Sequence, residues 1–189
     1  MLLYMSVKLI IYEYQPKEQR RETLKQALAE YAKNDNIELL FTANGKPYVK
    51  EEYGIYLSVT TTGEIMIFAF ADSPIGIDGE YMPRLADPHR KTDYSVLAER
   101  FFTPDEADYV RSGENTAVRF AKVWIRKEAY AKYTGRGMIE FPKFSVSDGM
   151  AFYEKVFNIP IKTFKPDFPM SDDYIFAIAG NFELSDIIQ

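Results

Sequence analysis

Cysteine is absent from the 189 residues, and histidine occurs once, as His89. The first absence removes any disulfide framework and any thiolate metal site. The second rules out a multi-histidine metal centre and nearly excludes a histidine general base. Positive charge is also scarce: 23 Lys and Arg against 28 Asp and Glu give a net charge of −5. That balance argues against general affinity for nucleic acid or an anionic membrane. No apolar run approaches the roughly 20 residues a membrane helix needs. Met1-Leu2-Leu3-Tyr4 lacks the basic region and long apolar core of a secretion signal, so a cytoplasmic protein is expected. A Gly-rich P-loop of the Walker type is missing as well.

What remains is globular material, with 47% hydrophobic and 15% aromatic residues. The length allows one domain or two small lobes. Residues 6–14 (SVKLIIYEY) read as a strand, ended by Pro16. Over 17–33, Leu24, Ala27, Leu28 and Tyr31 recur at helical spacing, with Lys and Arg on the other face. A short strand is expected at 37–41 and a turn at Asn44-Gly45. Two strands at 52–59 and 64–71, joined through Thr60-Thr61-Thr62-Gly63, suggest a hairpin, with a third strand at 74–80. Residues 82–91 read as a loop and 94–102 as a short helix. Thr103-Pro104-Asp105-Glu106 carries the marks of a helix start. The main helix spans 115–134, halted by Gly135 and Gly137, and strands are expected at 141–146, 150–158, 160–164 and 174–179. The order is a helix with three strands, then helices with three or four strands. It suggests two α+β lobes, 1–90 and 91–189, divided in the Pro-containing stretch after Glu80.

Two segments carry the chemistry. Gly76-Ile77-Asp78-Gly79-Glu80 ends a strand with acids two apart, which places both on one face. On the main helix, Phe120, Trp124, Glu128 and Lys132 lie four apart and form a stripe, with Lys127 beside it. Taken singly, each is ordinary: a polar strand end, an i,i+4 ion pair, a core tryptophan, a helix C-cap. Together, acids on one element facing an acid flanked by lysines on another suit magnesium and a phosphate ester. Magnesium takes oxygen ligands and binds a few carboxylates plus substrate phosphates, and lysines neutralise phosphate as compact point charges.

The chain resembles the surfactin-type, two-lobed branch of the 4'-phosphopantetheinyl transferase superfamily. Four pieces match in order. Gly45-Lys46-Pro47-Tyr48 is similar to the family's G-K-P-x, and Gly76-Ile77-Asp78-x-Glu80 to its G-I-D-x-E. Arg100-Phe101-Phe102 with Glu106 is similar to R-F-F-x-x-x-E. Phe120-x-x-x-Trp124-x-x-Lys127-Glu128-Ala129-x-x-Lys132-x-x-Gly135-x-Gly137 follows the long helix signature. The resemblance implies a pseudo-dimer of two similar α+β lobes, each a long helix on a small antiparallel sheet, with the active site between them. It implies that Asp78, Glu80 and Glu128 hold Mg2+, that Lys127 and Lys132 face the phosphates of coenzyme A, and that Lys46 lies near its nucleotide end.

The activity implied is transfer of 4'-phosphopantetheine from coenzyme A to a serine of an apo acyl- or peptidyl-carrier protein, with release of 3',5'-ADP. Glu128 is the candidate proton acceptor and Glu80 the second choice, while Lys132 would offset charge on the leaving group. The alternative is a degenerate relative that binds coenzyme A or a carrier without transfer. Arg84, His89, Arg90 and Lys91 are the candidate docking patch for an acidic carrier, and a monomer is expected. Two positions depart from the family pattern. Ser58-Val59-Thr60 stands where Ser-His-Ser is usual, which removes a contact near the 3'-phosphate. Gly79 replaces a commonly apolar residue, which adds backbone freedom beside the acids.

Overall fold

The computed structural model describes residues 7–43, 45–87, 89, 91–182 and 187–188. Among them the order is β1 (Val7–Glu13), α1 (Lys17–Ala32), β2 (Leu40–Phe41), β3 (Pro47–Tyr48), β4 (Tyr56–Thr62), β5 (Ile65–Ala71) and β6 (Ile75–Tyr81). There follow α2 (Tyr94–Phe101), α3 (Pro104–Arg111), α4 (Thr116–Thr134), β7 (Lys155–Val156), β8 (Ile159–Phe164), β9 (Tyr174–Gly180) and β10 (Ile187–Ile188). The helix starts follow local chemistry. Asp93 accepts from the Ser95 and Val96 amides, Thr103 and Glu106 form a reciprocal capping box, and Asn115 accepts from the Val118 amide. Gly135, at φ 72°, closes α4 in the left-handed conformation that a Cβ disfavours.

Two four-stranded sheets face each other, in the orders β10-β1-β5-β4 and β6-β9-β8-β7. The second is antiparallel throughout; the first is antiparallel except for a parallel β10–β1 edge. Strand alternation sorts the core. On β5, Met66, Phe68 and Phe70 cluster with Leu24, Ala27 and Leu28 of α1. Ile65, Ile67, Ala69 and Ala71 turn the other way, onto Phe176 and Ile178 of β9. Ala177 and Ala179 of β9 then face α4, where their small side chains admit the helix closely. Four layers result, α1, sheet, sheet and α4, and β5 is buried along its whole length because both its faces are covered. Each fully buried Phe or Ile contributes about 1.5–3 kcal/mol.

The α+β class expected from the sequence is observed, with one long helix on each sheet. Five local expectations change. The segment at 37–41 keeps only β2, which pairs with β3 in a small hairpin. The β4–β5 hairpin extends through Thr62, so its turn is Gly63-Glu64. The strand expected at 141–146 is a 3-10 turn over Met138–Lys143 containing Pro142, and of 150–158 only Lys155–Val156 joins a sheet. The largest change concerns β6, which pairs along its length with β9 of the second sheet rather than extending the β4–β5 hairpin. The chain has therefore entered the second sheet before the proline-containing stretch at which the lobes were expected to divide. Among the described residues, no helix is long and apolar enough to cross a membrane.

Because the central core joins faces from both halves, separating them should unfold each. Expressed alone, fragments 1–90 and 91–189 should each lack a cooperative melt by circular dichroism. Mixing them should restore one. A cooperative transition in either fragment by itself would contradict this reading of the shared core.

Candidate functional site

Strand alternation on β6 sends Ile75 and Ile77 into the space between the sheets and leaves Gly76, Asp78 and Glu80 facing α4. The helix lies so close that a Cβ on Gly76 would collide with the Ala129 carbonyl oxygen and the Tyr133 amide. Only glycine permits this approach, which brings Lys132 to Asp78. The Lys132 ammonium donates to Asp78 Oδ1 at 2.8 Å, to the Ile77 carbonyl at 3.0 Å and to the Val59 carbonyl at 3.1 Å. Asp78 Oδ1 also accepts from Thr60 Oγ1 at 3.1 Å. On the opposite face of β6, the Phe176 ring occupies the space a side chain at Gly79 would need. Gly79 stays in the β6–β9 ladder opposite Phe176, so it is covered by a ring rather than loosened as its identity suggested.

Beside Asp78 sits Glu128, half-buried on α4. Burial, then the Asp78 charge, push its carboxyl up to about 7, against the opposing pull of Lys132. Glu80 has a different attachment: Arg84 Nη2 donates to its Oε1 at 2.6 Å. Of the three acids expected to meet, Glu128 feels the charge of Asp78, and Glu80 accepts from an arginine. Among the described residues, no group of three or more His, Cys, Asp or Glu side chains is gathered closely enough to hold a metal ion.

Lys127 is placed differently from the expectation that it faces phosphate. Its side chain is fully buried and pairs with the equally buried Glu106 at 2.8 Å. It also donates to the Phe141 carbonyl at 2.7 Å and to the Phe144 carbonyl. Burial lowers the Lys127 pKa, while Glu106 pulls it back up. Glu106 in turn accepts from the Thr103 amide and hydroxyl and from the Val146 amide. Trp124 is a core anchor, stacked on Phe120 at 5.3 Å and edge-on to Phe101 at 5.8 Å.

A cleft of about 850 Å³ opens along α1, the β2–β3 hairpin, β4 and the C-terminal turns of α4. Glu128 and Lys132 line it, together with Lys46, Lys17, Arg20 and Arg21. Lys46 crosses the cleft to donate to the Lys132 carbonyl at 2.6 Å, near the end of α4. Burial, then the Lys132 charge, depress its pKa. Arg20 donates to Thr61 Oγ1 at 3.0 Å, and Arg21 lies over the Phe41 ring at 4.8 Å. The three α1 cations escaped the sequence reading, which placed Lys and Arg only on the helix face opposite the apolar residues. Their spacing at 17, 20 and 21, leading to the buried Leu24, is the signal that puts them beside one wall. Val59 lines the cleft and serves Lys132 through its carbonyl. Of the expected docking patch, Arg84 is engaged by Glu80, His89 and Lys91 are exposed, and Arg90 lies outside the described residues.

A family model described as the 4'-phosphopantetheinyl transferase superfamily matches residues 74–179, the span from β6 through β9. The chain is 33% identical over 97 residues to 4'-phosphopantetheinyl transferase psf-1 of Bacillus pumilus, covering 50% of this chain and 38% of that protein. It is 34% identical over 109 residues to 4'-phosphopantetheinyl transferase gsp of Aneurinibacillus migulanus, with 56% and 41% covered. A 4'-phosphopantetheinyl transferase of Bacillus subtilis is 29% identical over 105 residues, with 54% and 43% covered. The chain therefore spans only 38–43% of the length of these relatives.

Two measurements test the site's electrostatics. Lys127→Met strands Glu106 in the core and should lower the unfolding free energy by about 3–5 kcal/mol, read by urea denaturation. Adding Glu106→Leu should recover only part of the loss, since Thr103 and Val146 lose their acceptor. Unchanged stability in Lys127→Met would restore the phosphate-facing reading. For Glu128, the folded pKa lies above the ordinary 4.5, so its favourable contribution is complete below about pH 4.5 and disappears as pH rises through 7. In metal-free buffer, Glu128→Gln should therefore be the more stable protein at pH 8, by on the order of 2–3 kcal/mol. The gap should close toward pH 4.5 in thermal melts; a pH-independent gap would refute the raised pKa.

Proposed function

Because the chain belongs to the 4'-phosphopantetheinyl transferase superfamily, we propose that it transfers 4'-phosphopantetheine from coenzyme A to a serine of an apo acyl- or peptidyl-carrier protein. The observation that carries this reading is the meeting of Asp78, Glu128 and Lys132 at the edge of a cation-lined cleft. Cations distributed along α1, the hairpin and α4 suit a long polyanionic ligand. The acid pair sits at the α4 end, where a hydroxyl nucleophile needs a base.

In the proposed reaction the serine Oγ attacks the phosphorus nearer the pantetheine. A new P–O bond forms as the bond to the bridging oxygen breaks, and the electron pair departs with 3',5'-ADP. Little covalent chemistry falls to the protein; positioning and charge neutralisation do most of the work. Lys132 and Lys46 are placed to offset charge on the diphosphate, and Lys17, Arg20 and Arg21 to hold the nucleotide end. Glu128 takes the serine proton, a role that a carboxyl poised near 7 performs well at neutral pH.

Magnesium, when bound, supplies further neutralisation of the diphosphate, and Asp78 and Glu128 are the residues that would hold it. The fit rests on two oxygen donors near enough that, after burial, the Asp78 charge also raises the Glu128 pKa, a repulsion that a hard cation would relieve. One or two protein carboxylates with the remaining ligands from phosphate and water is the ion's ordinary arrangement. The cleft is lined by residues of one chain, which supports a monomer.

The test is direct: incubate the protein with coenzyme A, magnesium and a panel of apo carriers, then weigh the carriers intact. A gain of one phosphopantetheine is expected. Glu128→Gln should lower the rate about 10²–10⁴-fold, and Lys132→Ala should raise the coenzyme A requirement or slow turnover. Near-normal transfer by Glu128→Gln, with magnesium dependence retained, would remove Glu128 from the mechanism. Coenzyme A retained by the protein without mass gain on any carrier would overturn the transfer itself.

A further inference from the structure

Ser58, Thr60 and Thr62 are buried on one face of β4, each 3–4% exposed. The outer two act as acceptors: Ser58 Oγ takes the Ile77 amide at 3.0 Å and Thr62 Oγ1 the Tyr81 amide at 2.8 Å. Thr60 acts the other way and donates to a side chain, Asp78 Oδ1, at 3.1 Å. The Lys132 ammonium donates to the same oxygen at 2.8 Å. Asp78 is thus held twice through Oδ1, and among the described residues no donor meets Oδ2. The carboxylate torsion of an aspartate is broad and roughly two-fold, so one bond from a lysine leaves the carboxylate free to turn about it. A second donor from another element fixes its plane. Thr60 supplies that donor from β4, on a β-branched side chain that is stiff at χ1.

We propose that Thr60 is a positioning residue: it turns the Asp78 carboxylate so that Oδ1 faces the protein donors and Oδ2 is kept for a divalent cation entering beside Glu128. This rests on the magnesium reading given above, in which Asp78 and Glu128 are the two protein ligands. An oxygen that already accepts from an ammonium and a hydroxyl has little left to offer a metal. The other oxygen of the same carboxylate keeps its lone pairs. Without the hydroxyl, Lys132, with its three donors, is able to draw on both oxygens, and ion and lysine then compete for one carboxylate. Loss of a partner that orients a ligating carboxylate costs about 10–100-fold in metal affinity. The strand itself does not call for a hydroxyl at this position. Valine fills a buried strand position with the same branching, and Ser58 and Thr62 already tie β4 to β6 on either side. The hydroxyl of Thr60 serves Asp78.

The experiment titrates Mn2+ into the protein without nucleotide, counting free ion by electron paramagnetic resonance, with thermal melts to check folding. Thr60→Val should weaken Mn2+ binding about 10–100-fold, and Thr60→Ala, which also removes the hydroxyl, should do the same. Thr60→Ser should bind as wild type does. Thr62→Val breaks the neighbouring bond to the Tyr81 amide, so it should lower the melting temperature and leave Mn2+ affinity unchanged. Wild-type affinity in Thr60→Val and Thr60→Ala would overturn the proposal. So would an equal loss in Thr62→Val, which traces the effect to the seam between the strands, or a loss that Thr60→Ser does not restore. Asp78→Asn/Glu128→Gln separates this failure from failure of the metal reading. If that variant loses Mn2+ while both hydroxyl-free forms match wild type, the metal site stands and the role of Thr60 falls. If it binds Mn2+ as wild type does, or if wild type binds none, the metal reading falls and the role of Thr60 with it.

Discussion

A single ammonium group sets the geometry on which the cleft depends. Lysine has three N–H donors and no acceptor, and Lys132 directs them to Val59 of β4 and to Ile77 and Asp78 of β6. The carbonyl of the same residue accepts from Lys46 of the β2–β3 hairpin. Four elements are thereby held at one residue near the end of α4: a strand from each sheet, the hairpin and the helix itself. Lys132 is only partly shielded, its side chain 26% exposed, so an anion entering the cleft meets a cation already oriented. Orientation before binding is what lets charge lower a barrier without reorganisation at the moment of reaction.

The seam around Lys132 is assembled from side chains. β4 and β6 lie at the edges of different sheets, and hydroxyls bridge them in place of a backbone ladder. Ser58 Oγ accepts from the Ile77 amide, Thr60 Oγ1 donates to Asp78, and Thr62 Oγ1 accepts from the Tyr81 amide. Ser58, Thr60 and Thr62 share one face of β4 because they are two apart. These contacts satisfy edge amides that would otherwise cost free energy in a buried position. They also leave the two sheets free to set their own twist.

Local signals carried much of the structure. The capping residues of α2, α3 and α4 define their starts in the sequence, and the two-residue spacing of Asp78 and Glu80 places them correctly on one face. What the sequence could not show was choice of distant partners. The apolar run of β6 suits either sheet, and only the fit of Gly76 under α4 and of Phe176 over Gly79 decides for β9. The segments after α4 looked like strands because Phe141, Phe144 and Val146 are apolar. They are buried, but around Lys127 and Glu106 rather than along a sheet face. The α1 cations illustrate the same limit, since facing solvent and facing a cleft look alike in a periodic pattern.

Lys127 and Glu128 show how one helix sorts neighbouring charges. Successive residues on an α-helix diverge by about 100°, so one can face the core while the next faces the cleft. A second stripe, Phe120, Val123, Lys127, Tyr130 and Ala131, marks the core side; Lys127 belongs to it as well as to the cationic motif. Its burial is tolerable because Glu106 and two carbonyls receive the ammonium. Those acceptors come from α3 and the turn after α4, and they suit only one rotation of the helix about its axis. Apolar residues replacing both members of the pair would bring no partner requirement of this kind and would accept a range of rotations. The buried pair thus links two stretches of the family signature, Arg100-Phe101-Phe102 with Glu106 and the helix with Lys127-Glu128, in one physical task. The buried charge fixes the direction in which its neighbour, Glu128, faces the cleft.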